Sequence, residues 1–201
     1  MSRALLVVDL QNDFYEDGAL PVPEASRINA RVNGLLESGD YKVIVASQDW
    51  HPENHKSFAV NQGKDPYTPF NNGKGIGPLL WPVHCQQGTP GAEFHREIKT
   101  EYFNYIIRKG TDPEVDSYSA FRENNGTDLG LAALLKGLDI TEVDVCGLAL
   151  DYCVRFSALD DVRAGFKTRL ILTATRGVGA TPNDIDDALK EMKEAGILII
   201  E

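Results

Sequence analysis

The stretch Val143-Asp-Val-Cys-Gly-Leu-Ala-Leu-Asp-Tyr-Cys-Val154 decides how the chain reads. Its first half is an apolar, β-branched run of strand length, and small residues then pass the chain to a helical pattern that starts around Cys153. A thiol at a helix N-terminus meets unpaired backbone N–H groups and the positive end of the helix dipole. Both favour thiolate over thiol, and the same N–H groups can hold an oxyanion. Three further apolar runs end in reactive side chains: Ala4 to Val8 is followed by Asp9, Val43 to Gln48 by Asp49, and Tyr105 to Arg108 by Lys109. Open α/β sheets bind ligands at the carboxyl edge of their strands. The four runs therefore predict one convergent site holding a base, a cation and a thiol.

Working outward, strand-length apolar runs occur at residues 3 to 9, 42 to 48, 104 to 109, 142 to 148, 168 to 173 and 196 to 200. Most are apolar on both faces, as in strands of a parallel sheet covered by helices on each side. Helical periodicity fills the intervals at 24 to 37, 127 to 136, 152 to 164 and 183 to 195. Gly165 and Gly196 supply stop signals, and Thr181-Pro182-Asn183-Asp184 an N-cap region. The alternation predicts an α/β fold: a doubly wound, mainly parallel six-stranded sheet with helices on both faces.

With 201 residues, 42% hydrophobic and 25% charged, the chain reads as one globular domain over 1–201. A net charge of -10 argues against nucleic acid and against an anionic membrane surface. No apolar stretch approaches a membrane span, and the opening Met1-Ser-Arg-Ala-Leu-Leu-Val-Val-Asp9 is too short and too soon acidic for a signal peptide, so the expected location is cytoplasmic. Three cysteines, Cys85, Cys146 and Cys153, leave at least one unpaired, and reduced thiols are expected.

Residues 50 to 100 break the strand–helix rhythm and hold both Trp and all four His. Long irregular connections of this kind in compact domains are functional or disordered, and this composition favours an ordered loop over the site. Asp49, His51 and His84 offer a carboxylate and two imidazoles, ligand types that suit zinc, iron or manganese. His55 is a weaker candidate for a further ligand. His95, in a charged stretch, reads as an ordinary exposed residue, and Cys85 and Cys146 as buried thiols without chemistry. Singly, Asp9 could serve a turn, Lys109 the surface and Cys153 a helix face; their shared position at strand ends is what outweighs those readings.

These residues carry a resemblance. The chain resembles the isochorismatase-like cysteine hydrolases nearly end to end, through Val7-Val-Asp-Leu-Gln-Asn-Asp-Phe14, Asp49-Trp-His-Pro52 with His55-Lys-Ser-Phe58, Trp81-Pro-Val-His-Cys-Gln-Gln-Gly-Thr-Pro-Gly91, Lys109-Gly-Thr111 with Asp116-Ser-Tyr-Ser-Ala-Phe121, and Gly147-Leu-Ala-Leu-Asp-Tyr-Cys-Val154. The middle motifs are those of members acting on nicotinamide, with pyrazinamide as a second substrate, in NAD salvage. The resemblance implies a catalytic trio of Asp9, Lys109 and Cys153, and an oxyanion hole from the N–H groups of Ala149 and Cys153 beside a cis peptide bond before Ala149. It further implies a divalent metal, zinc before iron or manganese, on Asp49, His51 and His84, and a pyridine ring held near Phe14, Trp81, Tyr118 and Tyr152. Homo-oligomerisation stays open. Relatives acting on ureido or carbamoyl groups or on a vinyl ether generally lack the Asp-x-His plus His set, and a non-catalytic descendant would not need the trio.

Overall fold

Six strands, β1 (Arg3–Val8), β2 (Val43–Asp49), β3 (Tyr105–Lys109), β4 (Glu142–Leu148), β5 (Lys167–Arg176) and β6 (Leu198–Ile200), form one sheet in the computed structural model, which describes residues 2–201. Their order is β3-β2-β1-β4-β5-β6 and every neighbouring pair is parallel. The first three strands wind outward in one direction from β1 and the last three in the other, so the winding reverses between β1 and β4. A crevice opens there at the carboxyl edge of a doubly wound sheet. No helix among the described residues is long and apolar enough to cross a membrane.

Period-two alternation distributes the central strands between two cores. In β1, Ala4, Leu6 and Val8 face one cluster while Leu5 and Val7 face the other. Helices α2 (Leu131–Gly137), α3 (Arg155–Arg163) and α4 (Asp184–Glu194) cover the first face through Leu131, Leu135, Ala158, Ala188 and Met192. The second face is covered by α1 (Asn29–Glu37), through Val32, Leu35 and Leu36, together with irregular chain carrying Phe14, Tyr15, Cys85, Ala92 and Ile98. The long connection after β2 is thus ordered: it bridges Phe58 to Trp81, His51 to Gln86 and Phe94 to Gln11.

Several boundaries differ from the sequence reading for local reasons. The pattern at 24 to 37 begins as a 3-10 turn, Ala25–Ile28, behind a left-handed Glu24, and becomes α-helical only at Asn29. The helix expected from 127 starts at Leu131, because the Asp128 carboxylate accepts the Gly130 N–H at 2.7 Å and holds a turn there. At α4 the cap works backwards: the Asp184 carboxylate accepts the N–H of Thr181 at 2.7 Å. β5 runs three residues beyond the expected end, to Arg176, after a register shift opposite Val145 and Gly147. β3 is not buried on both faces, since as an edge strand it leaves Tyr105 and Ile106 exposed. His95 is half-buried rather than exposed, its ring stacked 3.8 Å from that of Tyr15.

A buried carboxyl in α3 has no cation beside it. Asp161 in α3 accepts the Thr168 hydroxyl at 2.7 Å through Oδ2, while its Oδ1 has no partner. Burial pushes this carboxyl up from 3.8 to about 7, against the weaker pull of the Thr168 hydrogen bond. A raised folded-state value means that the folded chain holds the proton longer than the unfolded one. The associated stability is complete below pH 3.8 and is lost as pH rises through about 7, amounting to at most about 4 kcal/mol. Asp161→Asn is therefore expected to gain stability relative to the parent between pH 5 and pH 8; thermal melts at the two pH values check this, and an equal difference at both would contradict it.

Candidate active site

The C-terminal ends of four adjacent strands deliver the central side chains. Asp9 follows β1, Asp49 ends β2, Lys109 ends β3 directly opposite Asp49, and Cys153 lies in the turn Leu150–Val154 that follows β4 and leads into α3. That turn is π-type, with Tyr152 at φ -122 and ψ -106, so Cys153 precedes the regular helix. The peptide bond between Leu148 and Ala149 is cis. The Lys109 ammonium, fully buried, lies 2.9 Å from Asp9 Oδ2, 3.0 Å from the Ser117 carbonyl and 3.5 Å from Cys153 Sγ, and it donates a short hydrogen bond to Asp49. Asp9 Oδ1 also accepts the Ser47 hydroxyl at 2.7 Å.

The charges decide one another. Burial opposes the charge on Lys109, but the carboxylates of Asp49 and Asp9 outweigh it and hold the ammonium well above its ordinary range. Burial opposes ionisation of Asp49 too, yet Lys109 keeps its carboxyl well below the usual carboxylate range. Asp9 goes the other way, raised by burial despite Lys109. Burial also pushes the Cys153 thiol well up, Lys109 offsetting only part of this while Asp9 and Asp49 add to it. Burial and the two carboxylates thus favour the thiol over the thiolate that a helix N-terminus alone suggests. Any nucleophilic role requires a neighbouring base, and Asp9 has the raised proton affinity suited to one.

Asp49 turns its second oxygen to a pair of imidazoles. Asp49 Oδ2 is 3.6 Å from His51 Nε2 and 3.9 Å from His84 Nε2. A carbonyl only accepts, so Nδ1 of His51 donates to Gly110 at 2.9 Å and Nδ1 of His84 to Pro82 at 2.8 Å. Both Nε2 lone pairs are thereby left toward Asp49, and His51 Nε2 is buried without a hydrogen-bond partner. An orphaned lone pair beside a carboxylate and a second imidazole, each ring fixed by a backbone carbonyl, fits a divalent cation. His55 is differently engaged: its nitrogens lie 2.7 Å from Ser57 Oγ and 3.1 Å from the Val115 carbonyl, and burial pushes it down to about 4. Gly110 is required at its position, since at φ +63 a Cβ would fall 2.3 Å from Cε1 of His51.

Above these groups lies a narrow, mainly apolar cavity. Asp49, His84, Ala149 and Cys153 contribute to its lining, and so do all four expected aromatic residues, Phe14, Trp81, Tyr118 and Tyr152. Trp81 Nε1 donates to the Tyr118 hydroxyl at 3.0 Å, and the Trp81 ring meets that of Tyr152 edge-on at 5.4 Å. The structure thus brings together every side chain singled out from the sequence; Asp9, Lys109 and His51 are buried just outside the lining.

Several contributors escaped the sequence reading. Asp116 lines the cavity with a buried Oδ2 that has no hydrogen-bond partner; its appearance within a quoted motif was the available signal. Ser47 shares a strand face with Asp49, two residues on, which period-two spacing makes visible. Gln11 accepts the Asp49 N–H and donates to the Asp49 carbonyl, both at 2.7 Å, so it clamps the strand end. Leu20, Val22 and Val178 are aliphatic residues of two loops that also line the cavity, with no local sequence signature.

The family model described as the Isochorismatase domain matches residues 3–201. The nicotinamidase of Escherichia coli (strain K12) is 43% identical over 197 residues, covering 96% of this chain and 92% of that one. A crystal structure of an L. infantum protein in complex with nicotinate superposes with a TM-score of 0.88 at 35% identity, covering 100% of this chain and 92% of that one. The pyrazinamidase of Pyrococcus horikoshii in complex with zinc gives a TM-score of 0.82 at 41% identity, covering 100% and 99%. With a family match along almost its whole length and strand ends that gather a thiol, an ammonium and a carboxylate, the chain belongs to the isochorismatase family.

Proposed function

We propose that the chain is a nicotinamidase, hydrolysing the carboxamide of nicotinamide to nicotinate and ammonia in the cytoplasm, as a single domain whose 50–100 connection serves metal and ring. The observation that carries this reading is the Lys109 ammonium held between the Asp9 carboxylate, at 2.9 Å, and the Cys153 sulfur, at 3.5 Å, at the base of an aromatic cavity. Cys153 gives its proton to Asp9 as Sγ bonds to the carboxamide carbon. Lys109 lowers the energy of the negative charge that passes between them. The carbonyl oxygen takes up the electron pair beside the N–H groups of Ala149 and Cys153, each such donor worth roughly 3 kcal/mol in a transition state. The C–N bond then breaks, and Asp9 returns its proton to the leaving ammonia. Water adds to the thioester, its proton passes to Asp9, and cleavage of the C–S bond releases nicotinate and restores the thiol.

Asp49, His51 and His84 would hold a divalent ion, zinc by analogy with the Pyrococcus horikoshii protein. When bound, it supplies a Lewis-acidic partner for the ring nitrogen. Phe14, Trp81, Tyr118 and Tyr152 enclose the ring. Pyrazinamide keeps a ring nitrogen meta to its carboxamide, so the same contacts accept it.

Cys153→Ala is expected to abolish ammonia release from nicotinamide while metal content, measured by elemental analysis, stays at the parent level; retained turnover would remove the covalent step. Asp9→Asn should lower kcat by about 100-fold or more, the usual scale of a lost general base. Gly110→Ala drives a Cβ into the His51 ring, so it should weaken metal retention by about 10-fold or more, read by equilibrium competition with a chromophoric chelator. Unaltered retention would place the ion elsewhere.

A further inference from the structure

Asp151 stands two residues before Cys153, but its carboxylate serves a different segment. Oδ1 accepts the N–H of Val178 and Oδ2 the N–H of Gly179, each at 2.9 Å, and the residue is 4% exposed. A buried carboxylate that binds two successive backbone N–H groups fixes the path of the chain that carries them. Those groups belong to the loop between Arg176, the end of β5, and Asp184, the start of α4. The loop approaches closely enough that a Cβ on Gly177 would meet Ile185 Cδ1 at 2.1 Å and Asp151 Oδ1 at 3.0 Å. Val178, fixed in this way, lines the cavity, as do Leu20 and Val22. The latter two are held by their own ties, Leu20 N–H to the Asp13 carbonyl at 2.9 Å and Val22 N–H to the Phe14 carbonyl at 3.0 Å.

The relation of these three side chains to the substrate rests on the nicotinamide reading. The carboxamide carbon must reach Cys153, and the ring nitrogen faces Asp49 and His84. The aromatic residues take the ring faces. The ring edge remote from both anchors is centred on C5, and Leu20, Val22 and Val178 are the aliphatic lining residues free to meet it. A wall without polar groups offers a substituent there neither solvation nor a hydrogen bond, so only volume decides. We propose that Asp151 is a positioning residue that clamps the 177–179 loop, and that Val178, set by this clamp, determines which ring-substituted nicotinamides the site accepts.

The test compares kcat/KM for 5-methylnicotinamide with that for nicotinamide in the metal-loaded parent, Val178→Ala, Asp151→Asn and the double variant. Val178→Ala is expected to raise the ratio by about 10-fold or more, the scale of one methyl group in an apolar pocket. Asp151→Asn should shift the ratio in the same direction, and the double variant should fall short of the product of the two single effects, because both act through one side chain. An unchanged ratio in Val178→Ala, or an Asp151→Asn variant that slows both substrates equally, overturns the proposal. Amide hydrogen exchange reads the clamp without any substrate: the Val178 and Gly179 amides should be protected in the parent and exchange about 10-fold faster or more in Asp151→Asn. Unprotected amides in the parent overturn the clamp even where the variant does not fold. A parent that releases no ammonia from nicotinamide defeats the nicotinamidase reading instead, and exchange still decides the clamp.

Discussion

A fully buried ammonium organises this molecule. Lys109 is shut off from bulk solvent, and the carboxylates of Asp9 and Asp49 are what make its burial tolerable. Removing one member of such a buried set leaves an uncompensated charge, typically at a cost of 3–5 kcal/mol. The strand ends are therefore bound to one another electrostatically as well as through the sheet. The same arrangement gives the two carboxylates different characters: Asp49 is held ionised, while Asp9 is raised toward a proton it can exchange with the thiol. Groups of one chemical type, pushed apart by their surroundings, are how acid–base roles are divided in a small site.

Asp49 also belongs to two systems at once. One oxygen meets Lys109 and the other faces His51 and His84. Position along β2 explains this double service, because the residue lies in register with Lys109 on one side and introduces the irregular connection on the other. That connection replaces much of the helical cover on one sheet face. By doing so it brings Trp81 and His84 back to the strand ends that it left more than thirty residues earlier.

Much of this was legible in the sequence because it obeys short-range rules. Apolar runs ending in Asp9, Asp49, Lys109 and the Cys153 turn mark both the strands and the place where their ends converge, and β4 occupies the expected interval, 142–148. Side-chain hydrogen bonds that compete with the helical pattern were less visible, as where Asp128 delays α2. The edge position of β3 depends on the order of strands in space, which its own composition does not encode. The upward push on the Cys153 thiol is invisible for a similar reason: the helix terminus is local, whereas burial and the carboxylates of Asp9 and Asp49 are supplied by distant chain. Val178 and Asp151 illustrate the remainder, since a valine in a loop reveals nothing until its neighbours are known.

The distribution of sulfur in the molecule bears on how it meets electrophiles. Cys85 and Cys146 are wholly enclosed, and burial holds both as protonated thiols without a route to reagent. Cys153 alone opens on a cavity and has a proton acceptor and a cation for company. A chain with three sulfhydryls thus behaves in its native state as a monothiol. Its alkylation is therefore set by entry to that cavity and by the groups around the sulfur, not by the number of thiols in the chain.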